Sequence, residues 1–358
     1  MVNTKVIAVA AVAIIAVAAV GGFLVLNNNN NKNDSQDPGF VTDAVGNKID
    51  LSKEYKNIAS GTAVGTEIVC DLGMKSSLVA VTNSAHIYDM TAHVSGISLS
   101  FDYPSTIATE IAAGTLTALK WSWSVEQVAD TEADLMLLDY SSVTADDSKM
   151  KQLQELGITC VVLFAENDWD TICKNYTTMG KILKKEARAT EINDAAVAAD
   201  AKIMSKFTSQ TGKKIAYICH CYGKYYIYNQ SGLMDAALKL GCTNALATST
   251  TTTITPEQIA AANPDFIFFD DMGTSLNWTD VIAEWKADAV MGSITAIAND
   301  EFCCMEACPF QATSYPTIHY VMGEGLVATM IYPDVVSKTV STVVTDDNYV
   351  ALIDWLDA

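Results

Sequence analysis

VEQVADTEADLMLLD (residues 125–139) and PEQIAAANPDFIFFD (residues 256–270) align without a gap. They share Glu-Gln, a following apolar residue, an alanine, a later Asp, an apolar run and a terminal Asp. Each reads as a short helix followed by a buried strand. Ser124 and Thr255 stand at the helix N-caps, and Glu126 and Glu257 lie in the first turn, where a carboxylate suits the positive end of the helix dipole. The apolar run after the Asp is short and continuous, as in a parallel strand covered on both faces. One such unit in each half of the chain predicts two α/β lobes of similar design. The plain alternative is a chance likeness between two ordinary helix–strand units.

The flanking sequence keeps the alternation. Residues 56–60 (KNIAS), 78–82 (LVAVT), 158–164 and 214–219 (KIAYIC) read as strands. Residues 65–72, 149–156 and 232–240 read as helices stopped by Gly73, Gly157 and Gly241, the residue favoured just past a helix end. Strands alternating with helices predict parallel sheets. Residues 170–209 are helix-forming, and 187–209 hold neither Gly nor Pro, which predicts one long helix joining the lobes and limited closure between them. The expected fold class is α/β: two Rossmann-like lobes joined by a long backbone helix and preceded by an N-terminal transmembrane helix. Residues 40–168 form the N-terminal lobe, 169–211 the connecting helical segment and 212–358 the C-terminal lobe.

Residues 6–26 are an unbroken apolar run, long enough at about 1.5 Å per residue to cross a bilayer core. Lys5 flanks it on one side and Asp34 and Asp37 on the other, so the positive-inside bias leaves the remainder outside the cell. The run exceeds the ~7–15 residues of a signal-peptide core, which favours an uncleaved anchor over residues 1–26. No Cys follows it before Cys70, which argues against a lipid-modified cysteine. Residues 27–39 (NNNNNKNDSQDPG) read as a flexible tether. Sequons at Asn33, Asn175, Asn229 and Asn277 are compatible with a glycosylated exterior. The chain of 358 residues is 50% hydrophobic and can bury two cores, while its net charge of -20 excludes a nucleic-acid partner.

In open α/β lobes ligands bind beyond the C-terminal ends of strands. The residues there are Tyr88, Trp121, Trp123 and Tyr140 in the first lobe, and His220, Tyr222, Tyr225, Tyr226 and Met272 in the second, with Trp278 more distant. Aromatic side chains with polar tips suit a large, flat or amphipathic ligand. Nine cysteines cannot all pair within one chain. Cys219, His220 and Cys221, with Cys303, Cys304 and Cys308, offer thiolate and imidazole ligands for zinc, copper(I) or iron. Buried thiols, or a disulfide such as Cys221 with Cys303, are the alternatives. His86, His93 and His319 stand alone and read as structural. There is no Ser-His-Asp ordering, phosphate loop or His-Glu-x-x-His helix, so the chain reads as a binding protein rather than an enzyme.

The order of short motifs from Val41 onward resembles the helical-backbone substrate-binding proteins of ABC importers for cobalamin, haem and ferric siderophores. Residues 41–47 resemble that family's opening hairpin, and Thr66-Glu67-Ile68 with Leu72-Gly73 its first helix. Ala133-Asp134-Leu135 and Asn263-Pro264-Asp265 are similar to its two strand entries, with Ala133 in place of the usual Pro. Leu156-Gly157-Ile158 and residues 241–245 (GCTNA) complete the series. The resemblance implies a monomer that needs no cofactor and captures an iron or cobalt chelate outside the cell. It would deliver the chelate to ABC permease and ATPase subunits, with Glu126 and Glu257, one per lobe, meeting arginines on the permease. A surface metal-binding or redox protein built on the Cys/His residues is the alternative.

Overall fold

A computed structural model of the protein describes residues 39–82, 92–94, 97–99, 103–120, 122–139, 147–164, 168–228, 231–249, 252–271, 276–306, 309 and 313–356. The expected anchor (1–26) and nearly all of the tether lie outside them. Among the described residues no helix is long and apolar enough to cross a membrane.

The chain enters through an antiparallel hairpin, β1 (Phe40–Thr42) and β2 (Lys48–Asp50). Buried Asp43 at its turn accepts hydrogen bonds from Asn47 N (2.8 Å) and, across the lobe, from Val162 N (2.9 Å). The first lobe then alternates β3 (Ile58–Ser60), α1 (Ala63–Asp71), β4 (Leu78–Thr82), a small hairpin β5 (Ala92–Val94) and β6 (Ile97–Leu99), α2 (Tyr103–Ala113), β7 (Thr117–Leu119), α3 (Val125–Ala129), β8 (Leu135–Asp139), α4 (Ser148–Glu155) and β9 (Thr159–Leu163). Its five-stranded sheet runs β7-β4-β3-β8-β9, parallel throughout. The strand order therefore reverses between β3 and β8.

The second lobe holds β10 (Lys214–Cys221), β11 (Lys224–Ile227), α7 (Gly232–Lys239), β12 (Thr243–Asn244), β13 (Thr253–Ile254), α8 (Pro256–Ala262), β14 (Phe266–Asp270), α9 (Trp278–Ala287), β15 (Phe302–Met305), α10 (Tyr320–Ile331), β16 (Val343–Val344) and α11 (Tyr349–Ile353). Its sheet runs β13-β11-β10-β14-β15-β16, with β12 also on β10; only the pairs made by β11 are antiparallel. Both repeat units form as read: α3–β8 and α8–β14 are short helices leading into buried strands. Each of those strands lies beside the first strand of its lobe, where the order reverses. Gly73, Gly157 and Gly241 take φ of 74°, 86° and 81°, the left-handed conformation that ends a helix without a Cβ clash.

The connection departs from the expected single helix. It is a helical hairpin, α5 (Trp169–Ile182) and α6 (Glu186–Phe207), turned at Lys184 with φ 57°. A Cβ on Gly180 would lie 2.6 Å from Ala189 Cβ, so a glycine lets the two helices pack. Asn193 Nδ2 donates back to Cys173 O (3.1 Å) and Thr177 Oγ1 (3.0 Å), fixing them antiparallel. The bridging helix itself is α6. Near its start Arg188 Nε donates to Asp71 O on α1 (3.1 Å), and at its far end Phe207 packs on Tyr332 and Trp355 of the second lobe.

Burial divides into three cores. The largest is shared: the inner faces of both sheets, the α5–α6 hairpin, α1, α7 and α10. Val128 of α3 belongs to an outer core behind the first sheet, and Ile259 of α8 to the corresponding core behind the second. The two lobes thus clasp a common helical layer, and each repeat helix packs on the outer core of its own lobe.

Candidate functional site

Where β3 ends, Gly61 N donates to Leu137 O of β8 (3.0 Å) and the chain turns into α1. A Cβ on Gly61 would meet Met136 Cε at 2.9 Å and Trp123 Nε1 at 3.3 Å, so the missing side chain is what admits the half-buried Trp123 to this strand end. Lys149 fixes Trp123 further: its Nζ donates to Trp123 O (2.7 Å) and stands 4.8 Å from the ring centroid. Trp123 is therefore placed just past the C-terminal end of β3, packed on the outer core of the first lobe. Tyr88, Trp121, Tyr140 and Met272 lie outside the described residues, as do Cys308, His86, Asn33 and Asn229.

Alternation along β10 decides the second lobe. Tyr217, Cys219 and Cys221 share the inner face, and His220 falls on the outer one. On the inner face Cys219 lies in register with Asp270 of β14 and with Tyr226 of β11. Asp270 is fully buried. Tyr217 packs on Tyr228 (5.0 Å between ring centroids), and both phenols are held well above their usual range, first by burial and then by the Asp270 charge. On the outer face His220 stacks on Tyr225 (4.5 Å, 18°), whose hydroxyl accepts from Trp285 Nε1 (2.7 Å). Burial pushes the imidazole pKa down, so His220 is neutral near pH 7, with its buried Nδ1 unpartnered among the described residues. Tyr222 and Gly223, with φ of 51° and 69°, form the tight turn of the β10–β11 hairpin, which leaves Tyr222 83% exposed at its tip. Trp278 is core, 4% exposed and packed on Trp285.

Residues 313–319 tie the two strand ends together. Ser314 Oγ lies 3.3 Å from Tyr217 Oη in the second lobe. Next to it burial raises the Tyr315 pKa, and the charges of Glu67 and Asp139 in the first lobe raise it further. Ile318 N donates to Tyr176 Oη (3.3 Å), Tyr176 Oη donates to Asp71 Oδ2 (2.5 Å), and His319 Nδ1 is hydrogen-bonded to Glu67. Burial and the neighbouring Glu67 push Asp71 well above the carboxylate range. This segment is the floor between the lobes: Tyr217, packed on Tyr228 and near the Asp270 charge, reaches it from the second lobe, and Glu67 and Asp139 act on Tyr315 from the first.

Among the described residues the Cys/His set is not assembled as a metal site. Cys219 and Cys221 adjoin, but His220 projects to the other side of the sheet. Cys303 and Cys304 likewise diverge, Cys303 into the shared core and Cys304 into the outer one. Among the described residues no group of three or more His, Cys, Asp or Glu converges to hold a metal ion, and all eight described cysteines are free thiols, Cys221 and Cys303 included. Asn175 is 1% exposed, and its amide is spent on Phe164 N (3.0 Å) and Phe164 O (2.9 Å), so the folded chain offers no glycan acceptor there. Gly61, Tyr217, Ser314 and Tyr315 escaped the sequence reading. The spacing of Tyr217, Cys219 and Cys221 was the available signal for one of them; the 313–319 segment has no periodic pattern.

On the outer faces, α3 and α8 are built alike. Ser124 and Thr255 each cap the helix within a capping box closed by Gln127 or Gln258. Glu126 and Glu257 are fully exposed, and each is held below the usual carboxylate range by its own backbone amide and then by the cap hydroxyl. Both stay ionised at any physiological pH.

A family model described as periplasmic binding protein matches residues 58–307. An uncharacterized ABC transporter substrate-binding lipoprotein of Bacillus subtilis (strain 168) is 24% identical over 155 residues, covering 43% of this chain and 43% of that protein, less than half its length. Among solved structures, a haem-binding protein of Roseiflexus sp. RS-1 superposes with a TM-score of 0.62 at 14% identity, covering 78% of this chain and 99% of that one. A petrobactin-binding protein of Bacillus subtilis gives 0.62 at 13% identity, covering 84% and 99%. At these identities the structural likeness is one of fold.

Proposed function

Because the chain belongs to the periplasmic binding protein family, we propose that it is the substrate-binding subunit of an ABC importer and captures a metal chelate between its lobes. The chelate class is a haem or a ferric siderophore, with cobalamin a further candidate. Support comes from the floor of the site, where Tyr217 and Tyr228 of the second lobe adjoin residues 313–319 and Tyr315 of that segment lies within reach of the Glu67 and Asp139 charges of the first. Such surfaces offer flat apolar faces with polar edges to a large chelate. The structurally similar proteins include one named for haem and one for petrobactin. Residues 1–26 anchor the protein with the lobes outside the cell, and no catalytic step is assigned to it.

The observation that carries the reading is the matched pair of exposed carboxylates. Glu126 and Glu257 crown identically capped helices on opposite lobes. They present a two-point anionic face to a permease of two-fold symmetry. In vesicles containing the ABC importer that this protein serves, Glu126→Ala with Glu257→Ala is expected to cut uptake at least tenfold while chelate affinity of the isolated protein holds. Unchanged uptake by the double variant would remove the docking assignment.

A further inference from the structure

We propose that Cys219 and Cys221 form a peroxide-responsive dithiol that closes to an intrachain disulfide at the end of β10. Their Sγ atoms lie 3.3 Å apart, with the Cys219 thiol donating to the Cys221 sulfur. The pair exists because residues two apart on a strand share a face. No other described cysteines are brought together this way: Cys303 and Cys304 are consecutive but enter different cores. Cys219 is fully buried, whereas Cys221 retains 3% exposure beside the open hairpin turn at Tyr222 and Gly223. A small hydroperoxide reaches Cys221 first.

The balance is simple. The Cys221 sulfur attacks one peroxide oxygen, the O–O bond breaks, and water leaves a sulfenic acid on Cys221. The Cys219 sulfur then attacks the Cys221 sulfur, the S–O bond breaks, and the hydroxyl departs with the Cys219 proton as a second water. Two thiols are oxidised and one hydrogen peroxide is reduced to two waters.

Closure has a mechanical consequence. Residues two apart on a strand have Cα atoms about 6.4–6.8 Å apart, at the upper edge of disulfide geometry. Forming the bond draws in the strand end and strains the Cys221↔Lys224 pairing that opens β11. Cys219 also accepts the Tyr228 hydroxyl and faces Tyr226, so oxidation disturbs the second-lobe wall of the site. The thiol chemistry stands without the transport reading; only the effect on a bound chelate rests on it.

Cleavage after Lys214 and Lys224 yields residues 215–224 (IAYICHCYGK), which hold both cysteines and no other. The test exposes the folded full-length chain to hydrogen peroxide, blocks thiols with N-ethylmaleimide and weighs this peptide. The expected product lacks two hydrogens, carries no maleimide and reverts with dithiothreitol. Cys219→Ser is expected to arrest at a Cys221 sulfenic acid that dimedone traps; if that variant fails to fold, the wild-type peptide alone decides. Recovery of both maleimide adducts at a peroxide dose that oxidises exposed methionines would overturn the proposal. So would sulfinic acid without a disulfide, or a disulfide to another cysteine.

Discussion

Gly61 shows how the position of Trp123 depends on a side chain that is absent. The Trp123 indole nitrogen and the Met136 methyl occupy the approach that any Cβ would need. Gly61→Val is expected to displace Trp123 from the strand end, at an overpacking cost of about 1–3 kcal/mol. Chelate Kd should rise at least tenfold, read by titration, while the far-ultraviolet spectrum holds; an unchanged Kd would take Trp123 out of the site. Glu324 is a second residue with a measurable signature. It is buried between Trp169 Nε1 (3.0 Å) and Lys239 Nζ (2.8 Å), and burial followed by the Asp200 charge raises its pKa to about 8 against the pull of Lys239. Between the ordinary carboxylate value of 4.5 and about 8 the folded state keeps a proton that the unfolded chain has released. Its contribution to stability is therefore present at low pH and lost as pH rises through that window. Denaturant melts at pH 6 and pH 9 should show this decline in the wild type, and Glu324→Gln should flatten it.

At the scale of elements, the two capping boxes tie stability and the proposed docking to the same short helices but through different side chains. Thr255→Ala removes the α8 cap and should cost about 1 kcal/mol, seen as a lower melting temperature. Glu257→Ala should leave melting nearly unchanged and act on uptake alone. These helices and their strands were legible because everything that specifies them is local: a cap, a Gln three residues later and a short apolar run. The glycine-closed helices were legible for the same reason. The α5–α6 turn was not, because Lys184 adopts the left-handed conformation without a Gly or Pro to signal it. The Cys/His motif misled for a related reason: Cys219-His220-Cys221 looks compact in sequence, yet a strand sends its members to opposite faces.

The whole molecule behaves as two lobes fastened to one helical layer. The shared core runs through both sheets, and Glu67–His319 with Asp71–Tyr176–Ile318 fastens α1 to the floor segment. Two lobes could be read from the repeat, but the floor between them could not, since its contacts join residues far apart in the chain. Such a frame predicts little domain closure: small-angle scattering profiles with and without chelate should overlay closely. His319→Ala would strand Glu67 in the interior at a cost of about 1–3 kcal/mol, and it should loosen that overlay. Between the lobes the protein is proposed to capture a metal chelate. The most direct test of that capture is the thermal unfolding of the protein, handled without oxygen, against haem, catecholate and hydroxamate ferric siderophores, cobalamin and the bare metal ions. A ligand that binds only the native state raises the melting temperature by mass action. A clear rise with one chelate and none with bare iron or zinc is expected; no rise with any chelate, or a rise with bare metal alone, would rule out chelate capture between the lobes.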